Sequence, residues 1–256
     1  MKRPAADSLK AGLQQFIRPS YNTAMAVGLF ITGNDTGVGK TYAAALIARA
    51  LRAAGRRVGV YKPVASGCRE ESGALVSDDA LALWDAAGRP GELERVCPQR
   101  FAAPLAPHLA ARGEGRRIDA DLLRSGLDYW RERSEIVIVE GVGGLMSPIS
   151  DEEFVADLAA DFGYPLVVVA RNAIGVINQT LQTLIVAATF RDGLPIAGIV
   201  LNRPADSSGD PSVESNRDEL ARRAIPPVLA EISWRADSFD RELDWFSLAD
   251  CTRHAP

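Results

Sequence analysis

The sequence predicts an α/β fold in which a mostly parallel sheet is covered by helices on both faces. Short apolar stretches rich in β-branched residues alternate with segments whose apolar side chains recur at helical spacing. The strand-like stretches are apolar almost throughout, which is typical of parallel strands buried on both faces. A length of 256 residues fits a single large domain of this class, or at most two small ones.

The first half of the chain contains two strand–helix units. The predicted strands are AVGLFIT (26–32) and RRVGVYKP (56–63), and the predicted helices are TYAAALIARALRAA (41–54) and SDDALALWDAAG (77–88). Gly55 ends the first of these helices, and Ser77 is a good N-cap for the second. Residues 89–118 are rich in Pro, Gly and Arg, so we predict irregular structure there.

The second half continues this alternation. The predicted strands are 135–140, 165–170, 195–202 and 226–232, and the predicted helices are 119–133, 151–163, 175–193 and 214–224. Segment 205–213 is polar and turn-rich, and we interpret it as an insertion or a mobile loop. We expect one domain over residues 25–234. Residues 1–24 are then a peripheral extension, with disorder as an open alternative, and residues 235–256 a weakly patterned tail.

Composition limits the partners and the compartment. A formal net charge of −4 argues against nucleic acid or an anionic membrane surface as a partner. Cys68, Cys97 and Cys251 show no C-x-x-C spacing, which argues against a zinc site or a disulfide framework and favours a reducing cytoplasm. The longest apolar stretches are far shorter than the roughly 20 residues of a membrane helix, and residues 1–24 lack the apolar core of a secretory signal.

A glycine-rich stretch with Gly-Lys-Thr lies between the first predicted strand and the first predicted helix, in the setting that a phosphate-binding loop requires. Five residues separate Gly33 from Gly39-Lys40-Thr41, one more than in the common pattern. Backbone N–H groups near Gly37 would bind phosphate at the helix start, Lys40 would reach the outer phosphates and Thr41 would bind Mg²⁺. The alternative is a plain glycine turn before a helix.

Other charged residues follow neighbouring predicted strands. Right-handed crossovers bring the loops after parallel strands to one edge, so stretches 33–41, 62–67 and 140–144 should meet there. Glu140 ends a buried strand, where a metal bound to ATP phosphates would balance its charge; the alternative is a strand cap or an arginine partner. Lys62 is a second lysine on this edge, or else a surface lysine.

Asp79 and His108 carry weaker signals. Asp79 lies in the first turn of its predicted helix, where an acidic residue is also favoured by the helix dipole alone. Whether the adjacent Asp78 joins it at a metal stays open. His108, in APHLAA, has no neighbouring Ser or Asp motif, so we interpret it as structural.

Together these stretches resemble dethiobiotin synthetase, a biotin-pathway enzyme that closes a ureido ring. That family's phosphate loop has the form G-T-D-T-x-V-G-K-T with the same additional residue, and the sequence from Gly33 to Thr41 matches it except that Asn34 replaces Thr. The resemblance spans about residues 27–234 and continues through YKPVASG (61–67), DALAL (79–83), FAAPLAPH (101–108), VEGVGG (139–144), GVIN (175–178) and Asn202.

This resemblance implies a P-loop NTPase-type fold and an ATP-dependent ligase. The implied reaction joins 7,8-diaminononanoate and CO₂ or bicarbonate, with MgATP, to give dethiobiotin, ADP and phosphate through a carbamate and a carbamic–phosphoric anhydride. It also implies a homodimer in which the second subunit binds the substrate's carboxylate at the helix start Gly175–Asn178.

The resemblance also implies roles for individual residues. Lys40, Lys62 and Thr36 are implied as catalytic; Gly37, Val38, Gly39, Lys40, Thr41 and Asn202 as nucleotide-binding, with Asn202 at the adenine; Thr41, Asp79 and Glu140 as Mg²⁺ ligands; and Thr36, Lys62, Ser66, Gly143, Gly175 and Asn178 as substrate-binding.

Two rival interpretations share parts of this pattern. A ParA/MinD-like dimeric nucleotide switch of the chromosome-partition type carries an additional lysine early in its phosphate loop, and positions 33–38 contain none. A glutamine-dependent amidoligase of the cobyrinate type shares EGVGG but needs a further glutaminase domain, for which the chain has no room.

Overall fold

The computed structural model describes residues 26–206 and 209–250. The extension predicted for residues 1–24 lies outside these ranges, as do residues 207–208 of the predicted loop and residues 251–256 of the predicted tail. The described residues form an α/β fold around a parallel six-stranded sheet, which confirms the predicted fold class. None of the described helices is long and apolar enough to cross a membrane.

The strands follow the predicted alternation closely. In chain order they are β1 (Val27–Gly33), β2 (Val58–Tyr61), β3 (Val64–Ala65), β4 (Arg69–Glu71), β5 (Ala74–Val76), β6 (Gln99–Arg100), β7 (Ile136–Gly144), β8 (Leu166–Arg171), β9 (Ile196–Asn202) and β10 (Val228–Ile232). The large sheet has the order β2–β7–β1–β8–β9–β10. Strand order therefore changes direction between β7 and β1, which is where parallel sheets bind ligands.

Helices cover both faces of this sheet. They are α1 (Lys40–Ala53), α2 (Asp78–Ala86), α3 (Leu93–Val96), α4 (Pro107–Gly113), α5 (Ala120–Arg133), α6 (Val155–Phe162), α7 (Val176–Thr189), α8 (Val213–Arg223) and α9 (Trp245–Ala249). α1 packs with α2 and α9, whereas α5 packs with α6, and α7 with α8. Right-handed crossovers place the helices from α5 to α8 on the face opposite α1.

Residues 89–118 are more regular than predicted. They contain α3, β6 and α4, and β6 pairs with β3 in a small parallel sheet outside the main one. These elements are too short to show a hydrophobic period, which explains why the sequence pattern missed them. A second unpredicted feature is the exposed antiparallel hairpin of β4 and β5.

The end of the chain also differs from the sequence interpretation, which left residues 235–256 as a tail. Within the described part of this segment, α9 contacts β1 and α1, and Trp245 is buried. Its N-cap is Asp244, whose side chain accepts a hydrogen bond from Ser247 N. A single five-residue helix gives almost no periodic signal, although it covers the core of the domain.

Gly126 marks the closest approach of α5 to β2. The hydroxyl of the buried Tyr61 lies 3.1 Å from the Leu122 carbonyl oxygen and 3.0 Å from that of Leu123, to which it donates. A Cβ atom at position 126 would lie 2.3 Å from this hydroxyl. The helix therefore needs glycine here, because Tyr61, the last residue of β2 before Lys62, is held in place by its hydrogen bonds.

We predict that Gly126→Ala lowers the free energy of unfolding by about 1 to 3 kcal/mol, as expected for overpacking, although alanine is the better helix former. Urea denaturation would measure the change. Gly113→Ala is the matched control, because a Cβ there meets nothing within 4 Å. Adding Tyr61→Phe should recover part of the loss; a double variant no more stable than Gly126→Ala would contradict this explanation.

Candidate functional site

The three stretches expected to meet do so at one edge of the sheet. β7 lies between β2 and β1, so the segments after β1 and β2 converge on the end of β7. They border a cleft of about 740 Å³. Its walls include Thr36, Gly37, Gly39, Lys40, Thr41, Lys62, Ser66, Asp79, Glu140 and Gly143.

The phosphate loop joins β1 to α1 and depends on glycine geometry. Gly37 has φ 72° and Gly39 has φ 91°, a left-handed conformation that side chains disfavour. Asn202, at the end of β9, is buried and donates a 2.8 Å hydrogen bond to the Val38 carbonyl oxygen. A Cβ atom at Gly39 would lie 2.1 Å from the Asn202 amide nitrogen, so that amide fixes the loop. The expected contact of Asn202 with adenine stays a prediction.

Lys40 begins α1 and lies over its own loop. Its ammonium donates to the Asp35 carbonyl oxygen at 3.2 Å, and burial lowers the pKa of Lys40. The backbone therefore holds the lysine beside the loop amides before any phosphate is bound. An incoming phosphate would replace this neutral carbonyl as the partner of the ammonium.

Four polar residues from separate elements meet on the floor of the cleft. The Thr41 hydroxyl lies 2.8 Å from Glu140 Oε1 and 2.9 Å from Asp79 Oδ1. Lys62 Nζ lies 2.7 Å from Glu140 Oε1 and 3.0 Å from Asp79 Oδ2. We call Thr41, Lys62, Asp79 and Glu140 the floor cluster. It contains the predicted metal ligands together with the second predicted lysine.

The electrostatics of the floor cluster favour the charged forms of Lys62 and Asp79. Lys62 is 3% exposed, and burial alone would lower its pKa, but Glu140 and Asp79 outweigh that effect and raise it. Burial raises the pKa of Glu140, which Lys62 opposes. Burial also acts to raise the pKa of Asp79, but the Lys62 charge outweighs it and the net shift is downward. Lys62 is thus a buried ammonium held by two carboxyl groups.

The floor cluster also has the donor set for Mg²⁺, which prefers one or two carboxylates together with phosphate oxygens and water. Glu140 Oε2 is buried and has no hydrogen-bond partner within the described residues. An uncompensated buried carboxylate oxygen is costly, and a cation beside it would remove that cost. The residues present therefore fit a divalent cation. Asp78 does not join them, because its carboxylate is largely exposed and accepts a 2.8 Å hydrogen bond from Arg69.

The predicted substrate residues divide into two groups. Thr36, Ser66 and Gly143 line the cleft together with Lys62. Gly175 and Asn178, at the start of α7, do not line it.

Ser147 and Val142 were missed from sequence. Both line the cleft beyond Glu140, as do residues 104–107 and Pro148. The segment 101–108 was recognised only as a shared motif. For Ser147, the available signal was its position three residues after the glycine loop.

We predict that Lys62→Met lowers the free energy of unfolding of the ligand-free protein by about 3 to 5 kcal/mol, because Glu140 is left buried without its cation. The double variant Lys62→Met/Glu140→Gln should recover part of this loss, and urea denaturation in EDTA would measure all three proteins. Arg89→Met is the control, since it removes an exposed pair with Asp85 and should have little effect. Equal losses in the Lys62 and Arg89 variants would contradict the buried pair.

Sequence comparison identifies related proteins. The family model described as an AAA domain matches residues 27–241. An ATP-dependent dethiobiotin synthetase BioD from Rhodopirellula baltica is 42% identical over 219 residues, which cover 81% of this chain and 84% of that protein. The protein of the same name from Anaeromyxobacter dehalogenans is 46% identical over 210 residues, covering 82% and 91%.

Comparison with solved structures supports the fold. A ParA family ATPase from Chlorobium tepidum aligns with a TM-score of 0.50 and 17% identity, covering 83% of this chain and 85% of that one. At this identity the similarity concerns the fold alone. The sequence relatives are far more specific, because they are 42% and 46% identical over about four fifths of this chain. The chain therefore belongs to the dethiobiotin synthetase family.

Proposed function

We propose that the protein synthesises dethiobiotin from 7,8-diaminononanoate, CO₂ and ATP, releasing ADP and phosphate. One observation supports this most directly. The buried ammonium of Lys62 contacts Glu140 and Asp79 in the cleft that Lys40 and Thr41 also line. A reaction that brings a carbamate beside a triphosphate concentrates negative charge, and two lysines in one cleft are suited to stabilise it.

The proposed chemistry has three steps. A substrate amine attacks CO₂ and loses a proton, which gives a carbamate. A carbamate oxygen then attacks the γ-phosphorus, ADP leaves, and a carbamic–phosphoric anhydride remains. Finally the second amine attacks the carbonyl carbon and loses a proton, phosphate leaves, and the five-membered ureido ring closes. The protein's contribution is to position these groups and to stabilise their charge.

Lys40 and each residue of the floor cluster have a place in this scheme. The two lysines, Lys40 and Lys62, bind the transferring phosphoryl and the carbamate. Because Lys62 is held by two carboxylates, it is already positioned before substrate binds. Thr41, Asp79 and Glu140 would hold Mg²⁺, which supplies positive charge to the phosphate oxygens.

The remaining residues would bind the two organic ligands. Gly37, Val38 and Gly39 present the loop amides to the phosphates of ATP. Asn202 supports this nucleotide site through its bond to Val38.

On the substrate side, Thr36, Ser66 and Gly143 border the space beside Lys62, where the diamine and its carbamate would lie.

Cys68 and Cys97 are free and buried, which fits the reducing cytoplasm we propose.

We further propose a homodimer formed through α7. Asn178 and Ile185 are exposed, and their spacing of seven residues places them on one side of the helix, while the exposed Ile174 lies two residues before its start. Ile174 is 84% exposed and Ile185 45%, which is unusual for large apolar side chains. The helix start at Gly175 lies outside the cleft of its own subunit, so a substrate carboxylate bound there would belong to the partner's cleft.

A nucleotide switch is the alternative function. The solved ParA family ATPase shares the fold but only 17% identity. The additional lysine expected early in a switch phosphate loop has no counterpart at positions 33–38. The second lysine here comes from the end of β2 and lies beneath the substrate side of the cleft.

The first experiment incubates the protein with 7,8-diaminononanoate, bicarbonate and MgATP and detects dethiobiotin by mass spectrometry. We expect product from the wild type and none after removal of Mg²⁺ with EDTA. Lys62→Gln should keep ADP binding within about threefold while it lowers product formation by at least about 100-fold, because a neutral amide cannot stabilise the anions. Lys40→Gln is the comparison, since it should weaken ADP binding as well as lower product formation.

ATP hydrolysis that does not depend on the diamine, with no cyclic product, would favour the switch. Unchanged product formation by Lys62→Gln would remove Lys62 from the catalytic residues without contradicting the overall reaction.

The second experiment tests the homodimer. We predict that Ile185→Glu converts the dimer to a monomer, because a charge would be buried in an apolar contact, and that the Michaelis constant for the diamine rises by at least about tenfold as the partner's anion site is lost. Light scattering coupled to gel filtration measures the mass. Ala53→Glu adds the same charge at the exposed end of α1 and should remain dimeric. A monomeric wild type would contradict the proposal.

A further inference from the structure

Ser147 lines the cleft, and none of the roles above uses its hydroxyl group. It lies on the loop after β7, seven residues beyond Glu140, and borders the same cleft as Lys62, Thr36 and Ser66. We propose that Ser147 donates a hydrogen bond to the carbamate formed from the substrate, and so helps to orient it toward the phosphoryl group. This inference rests on the proposed function and adds a substrate-binding residue to it.

The backbone around Ser147 fixes its side chain. Ser147 N donates to the Gly144 carbonyl oxygen at 3.0 Å, and the Ser147 carbonyl oxygen accepts from Val155 N at 3.0 Å. The side-chain oxygen accepts a 2.9 Å hydrogen bond from Gly144 N. The serine is therefore held from three directions, and little conformational entropy remains to be lost when a ligand binds.

The same contacts define what the hydroxyl group can do. A serine hydroxyl has one proton to donate and two lone pairs to accept with. One lone pair is used by Gly144 N, whereas the proton has no acceptor among the described residues. A polar group in this position is a donor for an oxygen-rich ligand. The carbamate of the proposed reaction is a charged acceptor, and hydrogen bonds to charged acceptors are stronger than those to neutral ones.

Gly143 brings this hydroxyl close to Thr36. A Cβ atom at position 143 would lie 2.1 Å from Ser147 Oγ and 3.6 Å from Thr36 Oγ1, and the residue has φ 68°. Gly143 is thus flanked by two hydroxyl groups, one from the phosphate loop and one from the β7 loop. A planar group with two oxygens could contact both of them while Lys62 neutralises its charge.

This placement gives the two carbamate oxygens different partners. The oxygen that attacks phosphorus must point toward the phosphate loop, so its lone pairs must stay available. The other oxygen needs a donor that keeps the group from rotating, and Ser147 lies on the β7 loop that borders the cleft. The hydroxyl would not exchange a proton in any step; it would orient the attacking group.

The test compares Ser147→Ala with the wild type in steady-state kinetics. We expect kcat/KM for the diamine to fall about 10- to 100-fold, the loss for one hydrogen bond to a charged group. The Michaelis constant for bicarbonate should rise with that for the diamine. The Michaelis constant for MgATP and the dissociation constant for ADP should stay within about twofold of the wild type. Ser147→Thr keeps the hydroxyl and should retain activity within about threefold. Ser125→Ala, on the exposed face of α5, is the control and should be unchanged.

Two outcomes would overturn the proposal. If kcat/KM for the diamine stays within twofold of the wild type, Ser147 makes no productive contact. If the Michaelis constants for MgATP and for the diamine rise equally, the serine only supports the glycine loop through its hydrogen bond with Gly144. Should Ser147→Ala not fold, Ser147→Cys has a similar size and a weak donor, and the same split between substrates is expected. A wild type that forms no dethiobiotin would instead contradict the proposed function.

Discussion

The ion pair between Lys62 and Glu140 is the interaction on which the site depends. Glu140 is 1% exposed and lies within β7, where a carboxylate without a partner is costly to bury. Lys62 alone would be equally costly. Each residue makes the other tolerable, and together they position Asp79 and Thr41 from two different helices. A cation beside Glu140 Oε2 would complete the arrangement and not disturb the sheet that carries it.

Sheet register explains why residues 78 positions apart meet. β2 and β7 run parallel, with Val60 opposite Ile138 and Tyr61 opposite Val139. Lys62 and Glu140 directly follow the paired residues Tyr61 and Val139, so their contact continues the register of the two strands. This part of the site could be predicted from sequence, because the apolar patterns located both strands and the loops after parallel strands share one edge.

Other parts of the site could not be predicted in this way. The bond from Asn202 to Val38 depends on how closely β9 approaches the phosphate loop, and no local pattern specifies that distance. Ser147 is one of several serines outside the recognised motifs, and its orientation results from turn hydrogen bonds to Gly144. The helix α9 was missed because five residues cannot show a helical period. In each case a tertiary contact decides the outcome, and local sequence gives only weak preferences.

The strand that supplies the second lysine determines where positive charge lies in the cleft. In this sheet β7 separates β2 from β1, so a lysine after β2 meets the carboxylate on β7 and lines the cleft. A lysine placed early in the phosphate loop would instead follow β1, and positions 33–38 contain none. Under the proposed function, the charge of Lys62 stabilises a small anion near the phosphate loop. The fold alone therefore does not specify the reaction; for the function that we propose, the position of this one lysine does.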